Sequence, residues 1–285
     1  MSKDWQIGFK VKGLGAPEKE IVFDDYILIR GVPHTDASYV YFKVSIQNEE
    51  EKDKVREDSI NVLRNIAQMY GLVTNVYVEA LLSSVMAKIS SEDPFGYTKY
   101  PPELGFVAVI EDEQRRKNIP LLKKTMEKYE LVKSIFQNKN KAFLRNAIDY
   151  YHRSLGDLRL EEKIIDLVIS LESLFSRETQ ELRLRISLRA SFLLSVGQER
   201  ERSNIFRNVY NLYEKRSKVV HGTEVVDLDG TEIFILQEYV RETIKRFIHI
   251  EMRKQNILKL LDESVYDKEK RELLNRKLLE AIKKW

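Results

Sequence analysis

Polar and apolar residues alternate through the first part of the chain. In WQIGFKVKG (residues 5–13), Trp5, Ile7, Phe9 and Val11 point one way while Gln6, Lys10 and Lys12 point the other. That is the period of a half-buried strand. GLGAP at 13–17 reads as a turn. EIVFDDYILIR (20–30) and YVYFKVSIQ (39–47) are further strand candidates, the latter with Val40, Phe42, Val44 and Ile46 on one face. The acidic run NEEEKDK then opens a helix with Val55, Ser59, Val62, Ile66 and Tyr70 at helical spacing. Two more strand candidates, 74–82 and 105–111, flank the proline-containing loop SEDPFGYTKYPPE. The pattern predicts an α+β module over residues 1–115, a mostly antiparallel sheet with one helix.

Beyond about residue 115 the period changes to that of helices. The spacing predicts helices at 119–136, 142–155, 158–176, 181–195 and from about 199 to 220. Gly156, Gly197 and Gly222 close the second, fourth and fifth. The third, LRLEEKIIDLVISLESLFS, is apolar on nearly all sides and belongs at the centre of a bundle. VDLDGTE (226–232) reads as a turn, and a sixth helix carries Ile233, Leu236, Val240, Ile244 and Phe247 on one stripe. A last helix from Glu263 onward aligns Leu274, Leu278, Ile282 and Trp285. Its stripe either folds back on the bundle, the default, or meets another chain. Residues 116–285 thus form an all-α second part.

The chain of 285 residues has room for two such parts. It contains no cysteine, which removes disulfides and thiolate chemistry from consideration. With no apolar run of membrane-spanning length and no signal-like N-terminus, the sequence predicts a cytoplasmic protein that does not enter a membrane. A net charge of +3 supports no global polyelectrolyte argument, but charge is uneven. From Glu181 to His221 there are nine Lys/Arg and four Glu, an excess of five positive charges that suits an anion-binding surface. The alternative is that exposed helix faces simply carry arginines.

No GxxxxGK[ST], HExxH, GxSxG or Cys/His metal spacing occurs, and GLG at 13–15 lacks the context of a dinucleotide site. His34, His152, His221 and His249 are scattered. One constellation remains: Arg216 five residues before His221, with Ser217 between them and Gly222 after. Arginine stays charged and pairs two phosphate oxygens with its planar fork. Histidine moves protons near neutral pH. Together they suit RNA cleavage, in which a 2′-hydroxyl loses a proton, a 5′-oxygen gains one and a phosphorane needs stabilising. Five residues is about 500° of helix, so the two side chains lie about 140° apart unless the helix ends or distorts between them. A histidine before a C-terminal glycine is also a common helix cap. Glu172 lies among Ile165, Val168 and Phe175, so a carboxylate there needs a partner. Arg185 and Arg189, one turn apart on the next helix, are the candidates, either in an ion pair inside the bundle or in support of Arg216 and His221. Tyr210 and Tyr213 either stack on a base or belong to the core.

A helical bundle carrying R-x4-H before glycine, RSKVVHG at 216–222, resembles the HEPN superfamily and most closely its ApeA-like group. IIDLVISLESLF in the third helix is similar to that group's apolar LE-x-L-F helix, and LRLRISLRASFLL fits the same pattern. The resemblance covers roughly residues 119–260. The N-terminal α+β part looks like the module that often precedes such a domain. Many HEPN proteins are metal-independent endoribonucleases of toxin–antitoxin, anti-phage or RNA-processing systems; others bind RNA, nucleotides or proteins without cutting. The resemblance therefore implies cleavage of RNA in defence or stress, with no cofactor and no metal. It implies a homodimer that brings two Arg–His pairs into one cleft. Arg216 would hold the phosphate, His221 would transfer protons and Ser217 would assist, in a place where active members often have Asn, Asp or His. The N-terminal module would meet a protein partner or a trigger. A non-catalytic module binding RNA, nucleotide or protein is the alternative.

Overall fold

A computed structural model describes residues 3–12, 21–24, 27–31, 37–46, 51–74, 79–88, 124–129, 133, 141–156, 158–176, 180–196, 198–222 and 226–285. The chain divides into two compact units, Met1–Lys133 and Ser134–Trp285.

In the first unit, β1 (Lys3–Lys12), β2 (Ile21–Asp24), β3 (Ile27–Gly31), β4 (Ala37–Ile46) and β5 (Glu79–Lys88) form one sheet in the order β2-β3-β4-β1-β5. Every neighbouring pair is antiparallel. The register of β1 on β4 places Trp5, Ile7 and Phe9 opposite Val44, Phe42 and Val40. The two alternating apolar sets therefore coincide, which is what pins a register. The run 20–30 is two antiparallel strands rather than one. β2 closes at Asp24, and aspartate is a poor strand residue. The strand expected at 74–82 begins only at Glu79, because α1 (Glu51–Thr74) runs through Thr74. This helix lies against β4 and β5 and buries Leu63, Ile66, Met69 and Tyr70. Burial pushes the Tyr70 phenol up to about 12. The expected turn at 13–17, loop at 91–103 and strand at 105–111 lie outside the described residues. Of the helix expected at 119–136, residues 124–129 and 133 are described and helical.

The second unit is all-helical among the described residues. Its helices are α2 (Ala142–Ser154), α3 (Leu160–Phe175), α4 (Leu182–Leu194), α5 (Arg202–His221), α6 (Gly230–His249), α7 (Lys254–Glu263) and α8 (Lys268–Lys284). A 3-10 turn, Glu199–Glu201, leads into α5. The apolar α3 is the centre, touching α2, α4, α5 and α6. Phe175 from its last turn meets Phe247 edge to face at 5.6 Å. The orphan carbonyls at its C-terminus are met by cations: Lys254 Nζ donates to the Ser173 carbonyl at 2.7 Å and Arg189 donates to the Phe175 carbonyl.

The segment expected to be a turn at 226–232 is the start of α6, where Asp229 and Glu232 form a capping box. The predicted stripe from Ile233 to Phe247 is buried. The helix expected from Glu263 onward is α8, starting at Lys268, and α7, which ends at Glu263, is an additional helix before it. Asp267 breaks the run by capping α8, its carboxylate accepting from the backbone of Glu269 and Lys270. The α8 stripe folds back on the bundle: Leu274 and Leu278 are buried, and Trp285 meets His249 at 5.6 Å. Ile282 departs from the expectation and stays exposed. No helix among the described residues is long and apolar enough to cross a membrane.

His152, in the last turn of α2, makes a titration prediction. Burial lowers its pKa from 6.5 to about 4, overriding the nearby helix C-terminus. Between those values the unfolded chain binds the extra proton, so stability rises with pH across that window. The contribution is whole above pH 6.5 and is lost as pH falls towards 4, at most about 3 kcal/mol. Urea unfolding at both ends of the window should show a larger acid loss in wild type than in His152→Gln. Equal losses would refute the assignment.

Candidate functional site

The helix α5 is built to end where the sequence expects. Lys218 and His221 occupy its last turn, and Gly222 follows at φ 61° and ψ 25°. Only glycine adopts that left-handed conformation cheaply. The helix is α from Arg202 through His221, so its end falls after both candidate residues and no distortion separates them. Their side chains therefore leave the axis about 140° apart and about 7.5 Å along it. Arg216 turns towards α3, whereas His221 stands exposed on the final turn and Ser217 is half-buried. A single α5 does not aim the guanidinium and the imidazole at one phosphate.

Glu172 of α3 is the residue that orders Arg216. Its Oε2 lies 3.9 Å from Arg216 Nη2, and its Oε1 accepts a 2.6 Å hydrogen bond from the Tyr213 hydroxyl. Tyr213 and Arg216 stand three residues apart on one helical face, with the guanidinium carbon 5.9 Å from the ring centre. The result is a Tyr213–Glu172–Arg216 cluster linking α3 to α5. Burial and the Glu172 carboxylate push the Tyr213 phenol well above its ordinary value, which keeps it a donor. Both charged side chains retain about a fifth of their exposure, 21% for Arg216 and 23% for Glu172, so the guanidinium is restrained but reachable.

The arginines proposed as partners of Glu172 serve elsewhere. Arg189 is 2% exposed and grips Asp262 of α7 with two hydrogen bonds, 2.8 and 2.7 Å. Arg185 pairs at 3.8 Å with Glu181, the residue that precedes α4. Helix rotation explains the difference: the face of α3 that carries Glu172 meets α5 at this level. Asp262 had no sequence signal, because α7 itself was not anticipated. Tyr213 had one, its i, i+3 relation to Arg216.

The excess of positive charge between residues 181 and 221 is mostly compensated. Of its nine cations, six have carboxylate partners: Arg183 with Glu214, Arg185 with Glu181, Arg189 with Asp262, Arg202 with Glu199, Lys215 with Glu232 and Arg216 with Glu172. Lys215 also donates to the Asp227 carbonyl at 2.9 Å, tying α5 to the segment before α6. This surface is therefore an ordered array of ion pairs rather than a broad cationic field.

Replacing Tyr213 with Phe tests the cluster. Losing a hydrogen bond to a half-buried carboxylate should cost about 1–2 kcal/mol in urea unfolding. An unchanged midpoint would mean that the bond contributes nothing. Comparison of the chain with protein families, with curated proteins and with solved structures finds no match.

Proposed function

We propose that the second unit is a HEPN-type bundle that cleaves RNA without a metal, and that two copies complete the site. The carrying observation is the division of labour on α5: Arg216 is held by Glu172 and Tyr213, while His221 stands open to solvent on the last turn before Gly222. One chain offers the two groups in different directions, so a two-fold partner is the economical way to bring a guanidinium and an imidazole to one phosphate. The 2′-oxygen attacks phosphorus, the bond to the 5′-oxygen breaks, and the products are a 2′,3′-cyclic phosphate and a 5′-hydroxyl. Imidazole takes the proton from the 2′-hydroxyl, and an imidazolium returns one to the leaving oxygen. Arg216 stabilises the equatorial oxygens of the phosphorane, with Ser217 as a polar neighbour. Glu172 and Tyr213 act as positioning residues. The first unit, an α+β module, would receive a trigger or a protein partner, and the setting is defence or stress.

The compensated charge around α5 supports the second reading, a bundle that binds RNA, nucleotide or protein without cutting. Incubating the full-length chain with end-labelled RNA in EDTA separates the two. Fragments ending in cyclic phosphate support cleavage. Binding without fragments, at any pH between 6 and 9, overturns it in favour of the second reading.

A further inference from the structure

Beside α4, α5 carries a second arrangement that the cleavage chemistry does not use. Phe206 and Tyr210 stack, with ring centres 5.7 Å apart and planes 24° from parallel. The Arg183 guanidinium of α4 lies 4.2 Å from the Tyr210 ring centre and is oriented by Glu214 at 3.0 Å. Core aromatics would be buried, but both rings are only half-buried and the Arg183 side chain is 41% exposed. Helix arithmetic ties this stack to the candidate site. At about 100° per residue, Phe206, Tyr210, Ser217 and His221 fall within a sector of about 60°. Tyr210 lies about 16 Å from His221 along that line, a distance spanned by a few nucleotides of extended strand.

The geometry points to Phe206, Tyr210 and Arg183 as a stacking platform on α5 for unpaired bases of single-stranded RNA whose backbone runs on to His221. The assignment rests on the RNA reading above and supplies its substrate class. Rings and a guanidinium plane offer flat surfaces to the faces of unpaired bases, which a duplex conceals. Arg183 is already matched by Glu214, so its contribution is planar stacking more than charge. With most cations of the segment engaged internally, binding should depend only weakly on salt, since few counterions are released.

The test uses the full-length chain and a short oligoribonucleotide containing 2-aminopurine, either alone or annealed to its complement. Wild type and His221→Ala should both quench the single strand and bind it more tightly than the duplex. The double variant F206L/Y210L keeps apolar bulk and should lose about 5- to 150-fold in single-strand affinity per base released, with duplex binding unchanged. Phe206→Trp, which retains a stacking surface, should keep the preference and guards against a folding artefact; melting curves are recorded for each variant. Single-strand affinity equal to wild type in a folded F206L/Y210L, or a wild-type preference for duplex, overturns the platform. If RNA is still cut in EDTA by that variant at the wild-type rate, the platform falls while the nuclease stands. If no RNA is cut but single-strand preference is present and lost in F206L/Y210L, the nuclease falls and the platform stands. Failure to bind any RNA removes both and leaves the half-buried rings to a protein partner.

Discussion

His221→Ala should lower the rate of RNA cleavage by about 10²–10⁴-fold, the usual contribution of a positioned acid or base. The variant is informative because His221 is exposed on the last turn of α5 and makes no side-chain hydrogen bond among the described residues. Its removal should leave stability within about 0.5 kcal/mol, so a loss of rate reports chemistry. Arg216→Ala should lose about 10²–10³-fold by removing phosphorane stabilisation, but it also strips Glu172 of its cation and should melt earlier. Arg216→Lys keeps the charge without the fork and should recover only part of the rate. A site drawing its arginine from one copy and its histidine from the other makes a sharper demand. Mixing H221A with R216A and allowing exchange should restore roughly a quarter of wild-type activity by random pairing. No recovery on mixing would refute the shared site, and wild-type activity in H221A would refute the role of the imidazole.

Asp262→Ala should destabilise the second unit by about 3 kcal/mol. The reason is an asymmetry within the pair. Arg189 is 2% exposed and Asp262 is 44% exposed, measured on the side chains. Deleting the carboxylate leaves a buried guanidinium without its bidentate acceptor, and desolvation makes that costly. Arg189→Met fills the space with an apolar chain and leaves an aspartate that water can reach, so it should cost only about 1–2 kcal/mol, much of it from the Phe175 carbonyl losing a donor. Urea unfolding of both variants decides the order. If R189M proves the more damaging, packing and the capping of α3 outweigh the ion pair.

The helices were legible because their evidence is local. Apolar spacing locates α2 to α6 within a few residues, and Gly222 marks the end of α5. The misreadings arose where polar residues carried the structural message. Asp24 closes β2 inside a run that looks like one strand, Asp229 with Glu232 begins a helix inside an apparent turn, and Asp267 caps α8. Each is a short-range signal that apolar periodicity passes over. The candidate site was legible as a set of residue types and not as a set of contacts. Arg216, Ser217 and His221 stand at their places on α5, but the partner of Glu172 proved to be Arg216 with Tyr213, and Arg189 belongs to the scaffold.

Residue order alone determined where α5 stops, which residues share its faces and that Arg216 and His221 diverge by more than a right angle on it. These follow from a fixed turn per residue and from the freedom of a glycine backbone. The tertiary structure alone decided which charges meet: Tyr213 finds Glu172 across 41 residues and Arg189 finds Asp262 across 73. Such pairings depend on how neighbouring helices are rotated and spaced. That is set by the packing of the whole apolar core rather than by any stretch of chain that contains the partners.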